Sequence, residues 1–281
     1  MLLPKTKNFA RMLGIVLMMT TWLPSRLLAQ PEEADNAPLD LSEFPGMIID
    51  DVVVPVPSEI FSIMGKLGEE RFAGEIVERK NFTFRNRSRL ALAFGVAVAD
   101  GFIAVQAQNK NGIEQAGRTV LKLSEALGLK DRVLKHTQAI IRAADQDQWD
   151  AVRQELDRTQ KTVRETMEEM RDGDLANCVS VGGWIRGTEA MTSLISKSYK
   201  TEQAELLNQP DLALHFSELI GEMGKDVLRV PQIKAADACL KQIAVLMGDG
   251  DSVIDSKSVG QIHMVSKSLV GSVFQEEGGS R

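Results

Sequence analysis

SRLALAFGVAVADGFIAVQAQ, residues 88–108, decides how the rest of this 281-residue chain is read. As a helix, the stretch is apolar on every side except at Asp100. A helix of that kind belongs in a core, because no face of it is suited to water. Ala91, Gly95 and Ala99 recur four apart, and small residues on one face let a second helix backbone come close. These residues predict a central helix that other helices cover.

A partner of the same kind follows at 175–199. It holds Cys178, Val181, Gly182, Gly183, Trp184, Ile185, Gly187, Ala190, Met191, Leu194 and Ile195, with Asp174 as the expected cap. GVAVADG (95–101) and GWIRGTE (183–189) can be laid over each other with Gly95 on Gly183. Beyond that glycine the match is thin, and no fixed 34-residue repeat is visible. The fold class read from this pattern is all-α: a multi-helix bundle or helical-hairpin array around two small-residue-rich apolar helices, about 88–108 and 175–199.

Composition agrees. Hydrophobic residues are 43% of the chain but aromatics only 5%, so the core is aliphatic, which suits packed helices better than a sheet. The net charge is −6. Without the first 29 residues, which carry Lys5, Lys7, Arg11 and Arg26 and no acid, 29 basic residues face 39 acidic ones. So acidic a protein has no electrostatic footprint for nucleic acid.

The amino terminus has the three-part pattern of a secretory signal: a positive start, an apolar run from Met12 to Leu23, and Ala29 as a small residue for cleavage. The run is shorter than the roughly 20 residues of a spanning helix. An uncleaved anchor is the other reading. The expected mature protein is exported, periplasmic or secreted, with no membrane span after cleavage. Residues 30–57 follow as an acidic, Pro-rich tether, with seven acids and five prolines between Pro31 and Pro57. Met47–Ile49 and Val52–Val54 are too apolar to float and predict an extended strap along the body.

The remainder, 58–275, reads as one helical domain, with a frayed tail at 276–281. Start and stop signals predict helices at 59–67 after Ser58, 112–127 after Asn111, and 129–144. A long helix from 148 to about 171 follows Asp147, with a seam of Trp149, Val152, Leu156, Val163, Met167 and Met170 and charge elsewhere. Three more helices, 210–228, 231–247 and 255–274, complete the chain.

The segments Ser58-Glu-Ile-Phe, LAFGVAVAD (92–100), LSEALGL (123–129) and GGWIRG (182–187) resemble a group of exported bacterial helical proteins with no assigned activity. The resemblance covers about residues 57–200. It implies a helical fold and an exported location and supplies no catalytic residue. Where that group tends to have Gly-Ala-Asp before an aromatic, this chain has Val98, Ala99, Asp100, Gly101 and Phe102.

Three sets of residues could carry chemistry. Asp100 sits in an apolar helix, where an acid is costly unless paired, and Arg186 and Glu189 occupy the corresponding part of the second helix. They are either a polar pocket for a small ligand or cation, or an internal salt bridge that fixes the helix crossing. His215 and Glu218, with Glu222 a turn further on, have the spacing of metal ligands in bundles. Exported imelysin-like proteins carry a similar His-x-x-Glu after a glycine, whereas here the helix has Ala213. Cys178 and Cys239 are either a disulfide, which export allows, or two buried thiols. No nucleophile elbow, phosphate loop or zinc quartet is present in the sequence. The expected protein is therefore a non-enzymatic scaffold, or a module for a small ligand or a protein partner, without a cofactor. The alternatives are a metal-binding protein using His215 and a small-molecule sensor at Asp100.

Overall fold

The computed structural model describes residues 47–49, 52–54, 63–80 and 82–275. The expected signal peptide, most of the expected tether, the start of the expected 59–67 helix and the expected tail lie outside them.

Among the described residues eight long helices carry the fold: α1 (Arg87–Gln106), α2 (Lys110–Leu127), α3 (Lys130–Asp145), α4 (Trp149–Glu169), α5 (Gly173–Lys197), α6 (Pro210–Glu222), α7 (Pro231–Met247) and α8 (Ser256–Phe274). One-turn helices at Thr201–Ala204 and Lys225–Leu228 and 3₁₀ segments at Glu69–Glu75 and Glu205–Leu207 connect them. The expected strap forms a two-stranded antiparallel hairpin, β1 (Met47–Ile49) on β2 (Val52–Val54), with Ile48 opposite Val53. β2 runs beside α6.

The two apolar helices make the most extensive contact in the molecule. Their glycines explain how. A Cβ built on Gly95 would lie 2.0 Å from the Val179 carbonyl oxygen, and one on Gly182 would lie 2.2 Å from that of Leu92. Gly183 meets Gly95 itself, its Cβ position 3.5 Å from the Gly95 carbonyl. The backbones touch where any side chain would hold them apart. By length and composition α1 could cross a bilayer, but 89% of its most apolar window is buried inside the fold.

Around this pair, α2 packs on α1, α8 packs on α5, and α6, α7 and α8 pack in succession. The α3–α4 hairpin leans on α2 and covers a satellite core of Phe102, Ile113, Ile140, Val152 and Leu156. In α4, Val152, Leu156, Val163 and Met167 are buried as the seam requires. Met170, read as the last member of that seam, is 38% exposed, because α4 ends at Glu169.

Several boundaries differ from the sequence reading. Asn109, not Asn111, caps α2: its extended backbone lets its side chain accept the Gly112 N–H at 2.7 Å. Gly128 ends that helix in the left-handed region, φ 81°, where a Cβ would be strained. Asp174 lies within the first turn of α5 instead of capping it, and its carboxylate accepts the Gly224 N–H at 3.0 Å. That bond helps divide the predicted 210–228 helix: Met223 is buried in extended backbone and the chain restarts at Lys225. Asp147 precedes α4 with φ 57° and pairs with Lys110.

Candidate functional site

Asp100 and Arg186 meet at the α1–α5 crossing. Asp100 is 4% exposed and Arg186 1%. Arg186 Nε donates to Asp100 Oδ1 at 2.7 Å, and Arg186 Nη1 donates to Glu189 Oε2 at 3.3 Å, one turn on. The three residues picked out from the two apolar helices are thus joined to one another.

The rest of the network comes from the irregular segment between 69 and 86. Arg79 Nε donates to Asp100 Oδ2 at 2.8 Å and Arg79 Nη2 to Oδ1 at 3.3 Å, a two-pronged grip that fixes the guanidinium plane. The Phe274 ring lies 4.7 Å from the same guanidinium. Arg186 Nη2 donates to the Glu75 carbonyl at 2.6 Å, and the Glu75 carboxylate accepts from Ser193 Oγ at 2.8 Å and Lys197 Nζ at 2.6 Å. Three acids, Glu75, Asp100 and Glu189, therefore stand against three bases, Arg79, Arg186 and Lys197. Burying isolated charges costs several kcal/mol each, and only a balanced, hydrogen-bonded set offsets that. With both Asp100 oxygens taken and the carboxylate sealed, the arrangement is the internal salt bridge of the two readings, not an open pocket for a ligand.

Sequence reasoning missed Arg79 and Glu75, because no periodicity marks an irregular segment. It also missed Arg71 and Arg89. Arg71 Nη2 donates to the Leu194 carbonyl at 2.7 Å, at the end of α5. Arg89 is 1% exposed within the supposedly all-apolar α1, and its Nε donates to the Val273 carbonyl at 3.0 Å, at the end of α8. Helix ends leave carbonyls without intrahelical partners and carry partial negative charge, so a guanidinium is suited to both.

The metal set is not assembled. His215 is buried while Glu218 and Glu222 are exposed, so imidazole and carboxylates face different surroundings. Among the described residues no three His, Cys, Asp or Glu side chains come together as a metal site would need. Among the described residues none hydrogen-bonds the buried His215 Nε2.

Of the two readings of the cysteines the structure has the second: Cys178 and Cys239 are both free and buried. Their helices pack mainly on other partners, α5 on α1 and α8, α7 on α6 and α8. Burial pushes the Cys178 thiol up to about 12, with the nearby Asp174 charge adding to it, and burial does the same for Cys239. Since the thiolate is the reactive form, both are inert in the folded protein.

One further constellation joins α3 to α4. His136 Nδ1 lies 2.5 Å from Glu155 Oε1, and His136 Nε2 lies 3.0 Å from Thr162 Oγ1. Carboxylate, imidazole and hydroxyl in that order are the parts of a nucleophilic relay. Such a relay also needs N–H donors for the developing oxyanion. Thr162 sits inside α4, whose N–H groups are engaged along the helix, so the trio is better described as a polar clamp within the hairpin. No protein-family model, curated protein or solved structure matches this chain, and the roles of Asp100, Arg186 and Glu189 rest on their geometry alone.

Proposed function

We propose that this protein is an exported, non-enzymatic helical scaffold of the envelope or extracellular space, held rigid at its centre so that its outer surface can serve a protein partner. The observation that carries the reading is the Asp100 network. It sets three acids against three bases, and both Asp100 oxygens are engaged by Arg79 and Arg186, so this charge is committed to holding the α1–α5 crossing. Export is supported by the positive, apolar and small-residue segments in the first 29 residues.

Native mass spectrometry of the protein purified without chelator from the compartment where it accumulates tests this directly. The expected species is a chain beginning near residue 30, free of metal and small molecules, alone or in a defined complex with one other protein. A stoichiometric metal lost in His215→Ala, or a bound metabolite with turnover in the same preparation, would overturn the scaffold reading. An intact Met1 in the accumulated protein would overturn cleavage of the signal, and accumulation in the cytosolic fraction would overturn export.

A further inference from the structure

The residues of this acidic chain are not evenly spread. Between residues 78–80 with Phe82 on one side and α2 on the other lies an open cleft of about 210 Å³, walled by Arg79, Lys80, Arg118 and Lys122, with Glu78 the one acid on its lining. The formal balance within the cleft is three positive charges, in a chain with six acids in excess. We propose that this cleft is a binding site for a compact oxyanion carrying two or more negative charges, with inorganic phosphate as the simplest member of the class.

The four cations are not equivalent, and their differences make a site of them. Arg79 is held in place before any ligand arrives. It is 12% exposed, gripped by Asp100 through Nε and Nη2 and stacked near Phe274. Nη1 takes part in neither bond to Asp100. A donor oriented in advance loses little freedom on binding, which is where affinity is gained. Lys122 has no carboxylate partner among the described residues, and its Nζ lies 4.4 Å from the centroid of the buried Phe82 ring, which fixes its direction without neutralising it.

Lys80 and Arg118 form the rim. Lys80 pairs with Glu78 at 2.7 Å, and Arg118 pairs with Glu114 one turn back on α2; in both pairs each side chain is more than 40% exposed. Exposed pairs of this kind are worth only a few tenths of a kcal/mol to about 1 kcal/mol, so a doubly charged ligand can draw both cations inward with little opposition. Gln115 and Thr119 supply neutral polar edges on the α2 wall.

Size and charge narrow the ligand. Drug-sized and nucleotide-sized molecules occupy pockets of roughly 300–1,000 Å³, which this cleft does not reach. Nucleic acid is disfavoured by the net charge of −6 on the whole chain. A monovalent anion would use only part of the donor set. The inference stands apart from the scaffold reading, since a scaffold can carry an anion site and an enzyme can lack one.

The test is a phosphate titration of the purified protein at pH 7.5, against sodium chloride of the same ionic strength, followed by calorimetry and by amide chemical shifts. Saturable one-site binding is expected, with shifts grouped at 78–82 and 115–122. In Arg118→Gln/Lys122→Gln the affinity should fall tenfold or more while the unfolding midpoint is unchanged, both side chains being at the surface. Phosphate indistinguishable from chloride, or shifts scattered over other lysines, would overturn the site. So would full affinity in the double variant. Because the shift map is read on the unaltered protein, the proposal is decided even if the variant folds poorly.

Discussion

Two helix pairs in this molecule solve the same packing problem by opposite means. Where α1 crosses α5, backbone meets backbone: Gly95 and Gly182 seat the carbonyls of Val179 and Leu92, and a balanced set of buried charges closes the crossing. In the α3–α4 hairpin the backbones are kept apart by a seam of aliphatic side chains; most charges lie outside, as in Arg132–Glu169 and Lys161–Glu165, and the His136–Glu155–Thr162 clamp joins the two helices. The first contact has little room to adjust and depends on a few atoms. The second is distributed, so single changes in it are absorbed.

The largest effect expected from that difference is at Asp100. Asp100→Ala leaves Arg79 and Arg186 without their shared carboxylate in a sealed site, which costs on the order of 3–5 kcal/mol. Denaturant unfolding measures it, and a cost below about 1 kcal/mol would mean that the network does not fix the crossing. Gly95→Ala comes next. A methyl group 2.0 Å from a carbonyl oxygen cannot be housed unless the helices part, and such overpacking costs about 3 kcal/mol, the upper end of the usual range because the obstacle is backbone, even after the small gain in helix propensity.

The hairpin should respond less, and in a graded way. Leu156→Ala, in the α4 seam, should lose about 2 kcal/mol, the low end for a buried leucine, because an outer wall can settle inward. Lys161→Ala removes half of an exposed pair and should stay within about 0.5 kcal/mol. Equal losses for Leu156→Ala and Gly95→Ala would be explained if both contacts relax alike, and the contrast drawn between the two pairs would then be wrong.

The smallest effect concerns acid. The Asp255 carboxylate caps α8 by accepting the Ser258 N–H at 2.7 Å, and this bond holds its carboxyl below the usual carboxylate range. At Asp237 burial acts to raise the pKa, but hydrogen bonds from Lys241 and Ser217 outweigh it and the net direction is also down. For a carboxyl lowered on folding, the stabilisation is complete above its unfolded value, about 3.9, and is lost as pH falls through the folded value. The thermal midpoint should therefore decline below about pH 4. Asp255→Asn, which keeps a capping oxygen but cannot titrate, should flatten part of that slope. An identical slope in the variant would remove Asp255 from the account.

Legibility followed the same division. The α1–α5 crossing could be read because its residues violate the pattern around them. Glycines at four-residue spacing and a lone acid in an apolar run are visible one helix at a time, and so Asp100, Arg186 and Glu189 could be named. Arg79, Glu75 and Lys197 could not. Their contacts join residues more than 20 and up to 122 positions apart; Arg79 and Glu75 lie outside the long helices, where no period gives a facing side, and Lys197, the last residue of α5, meets Glu75 only through the packing of the two segments. The His215 pair failed for a related reason. A three-residue spacing gives two side chains neighbouring positions on a helix, but burial depends on what packs against each, and here it separates them. Cys178 and Cys239 were each correctly core-facing, yet which helices become neighbours is not a property of either helix.

What the sequence determined by itself is local and chemical: helices from apolar spacing, ends from capping residues and glycines, a close helix pair from small residues, and an acidic surface from charge. Those follow from interactions along one helix or from composition. Only the tertiary structure decided that the end of a 3₁₀ segment and the irregular chain after it would deliver Glu75 and Arg79 to the α1–α5 crossing, that the thiols would stay apart, and that four cations would gather beside α2. Each depends on the relative placement of distant segments, which is set by the packing of the whole core and written in no single stretch of the chain.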